Sequence, residues 1–227
     1  MKLYCFFLIK LLSVCFFIGG CFSSTFYKSV TVEEDKGSSG IAVGFSTMQY
    51  SNETLYDGSS IKKSRFWPSW EFFVQHGITE NFGLGLKTNL ASIIADTNLV
   101  LDAKYQYFEG EMLDMAFDLG IGTSSFPQIR DNETVYDTYY SIYPAALFTL
   151  KLSDKFRTSL GLEHKKIYNS NPEGDESSAS FNGGSFNISA GEEFNFIVQT
   201  SYFDGKDFKN NEVVLRSIGF GLAFWFD

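Results

Sequence analysis

The chain has 227 residues, 18 Lys and Arg against 27 Asp and Glu, and a net charge of −9, which argues against a nucleic-acid partner because phosphate binding needs clustered cations. All three cysteines, Cys5, Cys15 and Cys21, lie in the first 21 residues, so the rest of the chain can form no internal disulfide and no cysteine metal cluster. Aromatic residues make up 18% of the sequence, with 20 Gly and only 4 Pro, a composition that favours strands.

Lys2 and Lys10 precede a short apolar core, 11–18, which runs into Ile18-Gly19-Gly20-Cys21. A spanning helix needs about 20 apolar residues, and Lys10 interrupts the one candidate, so residues 1–20 read as a secretory signal peptide. Its removal would take away Lys2 and Lys10 and no acid, leaving a net charge of −11. Ile-Gly-Gly-Cys resembles the bacterial lipoprotein signal, which implies cleavage before Cys21 and lipidation of Cys21. Ordinary cleavage near Ser23 or Ser24, with Cys21 lost, is the alternative. Residues 21–39, which end in a polar run from Glu33, read as a flexible tether to a single domain over 40–227.

No helical 3.6-residue stripe of useful length is present in that domain. Period-two alternation predicts ten strands instead, over 41–50, 65–77, 82–92, 98–108, 112–124, 135–151, 156–168, 185–190, 194–203 and 213–226. The connections between them alternate in length. One set is tight, over 77–81, 109–111, 153–155 and 191–193, and the other is mostly longer and polar, over 51–64, 125–134, 169–184 and 204–212, with the short 93–97 as its exception.

Alternation alone does not say which face is wet, since turning a barrel inside out preserves it. The glycines decide. Phe82, Leu84, Leu86 and Leu90, then Leu113, Met115, Phe117, Leu119 and Ile121, then Phe194, Phe196, Val198 and Tyr202 share one phase. Gly83, Gly85, Gly120, Gly122, Gly161, Gly219 and Gly221 share the other. A glycine exposed to solvent weakens a strand without return, whereas inside a narrow barrel it relieves crowding. The apolar phase is therefore expected to face lipid. The glycine phase is expected to line a lumen that also receives Glu71, Lys87, Asp102, Lys104, Asp114, Asp118, Arg157, Glu163, Lys165 and Arg216. Charges of both signs in so narrow a space are expected to pair and fill it.

Short turns at one rim, long loops at the other and an even strand number resemble the small bacterial outer-membrane β-barrels. The segment from His76 to Leu86 resembles their tight periplasmic turn, and the closing strand, with Ile218, Phe220, Leu222, Phe224 and Phe226 on one face, resembles their last strand, although Asp227 follows it. The resemblance implies an all-β fold: a single antiparallel transmembrane barrel of about ten strands, with eight or twelve as alternatives. It implies a place in the bacterial outer membrane and, as partners, outer-membrane lipid and the assembly machinery, with a small solute left open. Trp67, Trp70, Tyr136, Tyr139, Tyr140, Tyr143 and Trp225 are the candidate interfacial anchors.

The expected role is structural or passive transport, without a cofactor or metal. Two other classes compete with it: a lipoprotein with a soluble lipocalin-like barrel that binds an apolar ligand, and a barrel hydrolase acting on envelope lipids. A hydrolase of that kind would need His76 or His164 as its base, and neither sits in a recognisable motif with a nucleophile and an orienting acid. Asn171, Glu173, Asp175 and Glu176 offer oxygen ligands to a Ca²⁺, but a solvated acidic loop is the simpler reading.

Overall fold

In the computed structural model the described residues are 36–50, 53–54, 60–61, 64–89, 97–130, 133–169, 178–191, 194–208 and 211–226. The expected signal peptide, Cys21, the expected tether as far as Asp35, the acidic group at 171–176 and Asp227 lie outside them. The described residues form β1 (Gly37–Tyr50), β2 (Glu53–Thr54), β3 (Ser60–Ile61), β4 (Ser64–Thr79), β5 (Phe82–Asn89) and β6 (Thr97–Glu109), followed by β7 (Leu113–Arg130), β8 (Glu133–Ser153), β9 (Phe156–Asn169), β10 (Ser178–Gly191), β11 (Phe194–Lys206) and β12 (Glu212–Phe226). Ten strands close into one barrel, every neighbouring pair antiparallel, while β2 and β3 pair only with each other.

Closure has a definite stagger. Followed once around the wall, the register runs Gly77, Gly83, Lys104, Asp118, Ala145, Glu163, Gly183, Phe203, Leu215, Met48 and returns to β4 at Arg65, twelve residues from its start. Such a stagger tilts strands against the barrel axis and leaves no free sheet edge. That matters in hydrocarbon, where an unpaired backbone group has no water to turn to.

The turn rim joins its strands through two or three residues, and the loop rim through longer connections except between β7 and β8, where two residues remain. At the turn rim Thr79 Oγ1 accepts the backbone N–H of Asn81 at 3.3 Å and of Phe82 at 3.1 Å. Gly191 turns there with φ +135°, and a Cβ would run into the carbonyl of Phe194. The start of β1 and the end of β12 meet on this rim, with Gly37 opposite Phe226. At the loop rim a five-residue hairpin is tied by Asp207, whose carboxylate accepts the Asn211 backbone N–H at 2.8 Å and its side-chain amide at 3.0 Å.

Several strands exceed their predicted limits. β1 begins at Gly37, so Gly37, Ser38 and Ser39, read as the end of the tether, belong to the wall, and Ser38 is wholly buried. β7 and β8 run on to Arg130 and Glu133, turning most of the expected 125–134 loop into ladder. β10 starts at Ser178, seven residues before its predicted start. Its outward residues there, Ser178, Ser180 and Asn182, are polar, so the lipid-facing signal is missing although the backbone pairing continues.

Candidate functional site

Burial sorts the two faces. Leu84, Leu86, Leu101, Tyr105, Phe117, Leu119, Ile121, Leu160, Leu162, Phe186, Phe196, Ile218, Phe220 and Phe224 are exposed, an apolar belt that would be untenable in water. The opposite face holds the charges. Glu71, Lys87, Asp102, Lys104, Asp114, Asp118, Glu163 and Lys165 are all buried inside the wall. A charged interior and an apolar exterior exclude the lipocalin-like alternative, which needs the reverse. The chain thus has the fold of a transmembrane barrel of the bacterial outer-membrane type, with the lumen as its candidate functional site.

The belt of charge is built by β4 to β9. Lys87 Nζ lies 2.6 Å from Asp102 Oδ2, and its charge also faces Asp118 and Glu71. Lys104 stands opposite Asp118 in the register. Glu163 Oε1 accepts the Ser185 hydroxyl at 2.9 Å. Near the turn rim Lys151 bridges Asp114 at 2.9 Å and donates to the Gly110 carbonyl at 3.3 Å, which fastens the β6–β7 turn. Arg157, on the lumen phase of β9, is only half-buried, in the second position of its strand.

Arg216 departs from expectation. It lies on the outer face, exposed, with its guanidinium 5.7 Å from the centre of the Tyr202 ring. It shares parity with Ile218 and Phe220, and it stands four residues inside the loop end of β12. At the edge of the apolar belt a long cationic side chain can lie over an aromatic ring and keep its head at the polar boundary.

The facing wall is made small. Ser46, Ser217, Ser201 and Ser185 occupy one register row across β1, β12, β11 and β10, and the row continues to Gly161. Long side chains from β4 to β9 therefore have somewhere to go. The expected crowding at the glycines is present: a Cβ on Gly122 would come within 2.7 Å of Ser141 Oγ, and one on Gly120 within 3.0 Å of Asp102 Oδ1.

Sequence reasoning missed two components. The first is an apolar layer at the loop rim, formed by Met48, Ile167, Ala179, Phe181, Phe203 and Val213, with Tyr50, Tyr139, Phe208 and Leu215 packed against it. Phe203 stands opposite Gly183 and Phe181 opposite Gly205, so each ring is admitted by a glycine across the strand pair. Lys165 joins this layer to the charge belt, its ammonium 4.0 Å from the Phe203 ring centre and 5.7 Å from that of Tyr143. The second is a set of buried neutral amides, Gln75, Gln106, Asn187 and Gln199, whose residue types carry little directional signal. Glycines placed two residues from, and across from, large inward aromatics would have been the readable sign of the first.

The proposed anchors divide. Tyr140 is exposed on the outer face, Tyr143 is buried in the lumen, and Tyr139 packs on Phe208 with ring centres 5.3 Å apart. Trp70 is half-buried on the outward phase, and Trp225 is half-buried on the lumen phase. The side chains of Trp67 and Tyr136 lie outside the described residues.

His164 faces outward, its Nδ1–H donating to Asn182 Oδ1 at 2.7 Å, and His76 is exposed beside the turn rim. Among the described residues no group of three or more His, Cys, Asp or Glu is placed to hold a metal ion.

No family model matches the chain, and no curated protein matches it. Among solved structures it is similar to the outer membrane protease OmpT from Escherichia coli, with a TM-score of 0.47 and 10% identity over 89% of this chain and 100% of that one. It is similar to the NanC porin, with a TM-score of 0.43 and 12% identity over 83% and 98%. The translocator domain of the autotransporter NalP from Neisseria meningitidis gives a TM-score of 0.43 and 8% identity over 85% and 90%. No residue role is carried over from any of them.

Proposed function

We propose that the protein is an integral barrel of the bacterial outer membrane whose lumen is closed, so that its role is structural rather than conducting. The observation that carries this reading is the apolar layer of Met48, Ile167, Phe181, Phe203 and Val213 at the loop rim. An apolar constriction resists ion passage because water itself leaves it. Beneath it the charges are engaged with one another, as Lys87 with Asp102 and Lys151 with Asp114, and engaged charges make a filled interior rather than an aqueous one. Export through the 1–20 signal peptide, lipidation at Cys21, and contact with the assembly machinery and outer-membrane lipid belong to the same proposal.

The test is electrical. The protein reconstituted into planar bilayers should give no discrete conductance steps, and reproducible steps from the unaltered protein would refute closure.

A further inference from the structure

The lumen is not filled evenly. At the turn rim, between β4, β5 and β6, a cavity reaches from the exposed turn residues Glu80 and Asn81 inward to Gln75, Asp102, Lys104 and Gln106. It offers about 20 Å³ to the centres of water-sized bodies, and roughly 10–15 Å³ of that measure holds one water. Two atoms there are chemically unfinished: Gln75 Oε1 and Gln106 Nε2 are buried and have no hydrogen-bond partner. Both residues are at least nine-tenths buried, at 4% and 5% exposure. One is an acceptor and the other a donor, and the two residues that carry them line the same space.

Leaving a buried amide atom unmet is costly, and a protein does not keep two of them on residues that line one cavity without something between them. A cation would meet Lys104, and an anion would meet Asp102. A neutral body of water size that both donates and accepts suits the pair. Gly85 keeps the space open, since a Cβ there would lie 3.1 Å from Gln75 Cγ and 3.5 Å from Asp102 Oδ2.

We propose that this cavity is a water site, in which an ordered water donates to Gln75 and accepts from Gln106, and that it hydrates the Lys87–Asp102 pair from the turn rim. Water within reach lowers the desolvation penalty of a buried ion pair, so the site explains how the charge belt is tolerated beside it.

The test uses the full-length chain in detergent micelles, labelled with ¹⁵N at glutamine side chains, with magnetisation transfer from water as the readout. The Gln106 side-chain amide, assigned by its disappearance in Gln106→Leu, should show a direct cross-peak to water. Gln75→Leu, which keeps the bulk and removes the acceptor, should abolish that cross-peak or weaken it several-fold. A missing cross-peak in the unaltered protein, or one unchanged by Gln75→Leu, would overturn the water site. Conductance in bilayers would overturn closure and leave this result standing, so the two proposals fail separately.

Discussion

Lys87 reaches Asp102 diagonally: the residue directly opposite Lys87 is Val100, and the one directly opposite Asp102 is Gly85. The lysine can lean across the strand pair because the position beside its partner carries no side chain. The ion pair and the glycine are therefore one arrangement. Around it stand Asp118 and Glu71, whose charges also act on Lys87, so the lysine is the hub and Asp102 only one of its partners.

That asymmetry predicts unequal losses. Lys87→Met strands several carboxylates together and should destabilise the barrel by about 3–5 kcal/mol, the usual consequence of leaving a buried charge uncompensated. Asp102→Asn leaves Lys87 with its other acids and should cost clearly less. The double variant Lys87→Met/Asp102→Leu should recover part of the loss from Lys87→Met. Urea unfolding in lipid vesicles measures all three, and equal losses from the two single variants would contradict the hub.

The lumen glycines should resist even the smallest side chain. Gly122→Ala places a methyl group 2.7 Å from Ser141 Oγ and 3.0 Å from Val100 Cγ2, an overpacking that typically costs about 1–3 kcal/mol. Adding Ser141→Gly removes the nearer obstacle and should restore much of the stability. Thermal unfolding of the single and double variants decides it, and additive losses would count against the stated contact.

Opening the apolar layer should create a pore. Among the described lumen residues the carboxylates of Glu71, Asp102, Asp114, Asp118 and Glu163 are matched in number by the cations of Lys87, Lys104, Lys151, Arg157 and Lys165. Phe181→Ser/Phe203→Ser, which wets the loop rim, should therefore give conductance with little preference between cations and anions, read from the reversal potential in a salt gradient. Silence from a correctly folded double variant would mean that the layer is not the barrier, and a strong preference for one sign would mean that the charges along the path are not evenly matched.

Arg216 should be nearly dispensable, unlike a charge deeper in the belt. Arg216→Leu is expected to change stability by less than about 1 kcal/mol, whereas Phe220→Arg, further into the apolar face, should cost about 2–4 kcal/mol if it lies near the bilayer midplane. Comparable effects from the two would show that both sit at the same depth.

The strand rhythm, the rims and the lipid-facing phase were legible because lipid imposes a strict requirement on every second residue. Where lipid ends, that requirement ends with it. Ser178, Ser180 and Asn182 face outward on β10 without apolar character, and that stretch looked like loop although its backbone is paired with β9 and β11. Arg216 misleads for a related reason: its charge suggests the lumen, its parity suggests lipid, and the parity is what the backbone obeys. The buried amides and the loop-rim aromatics were hidden because their environment is created by strands distant in sequence. Phe203, for instance, is explained by Gly183, and Lys165 by Phe203.

The closed register also sets an order of events in time. Gly37 pairs with Phe226 and Tyr50 with Val213, so β1 must wait for nearly the whole domain to be present before its second neighbour exists. Pairings this distant in sequence form slowly. Until β12 arrives, two open edges can recruit another chain. The last seam is thus both the slowest step of construction and the moment of greatest exposure, and a chain lacking β12 should be lost to aggregation rather than persist as a nine-stranded sheet.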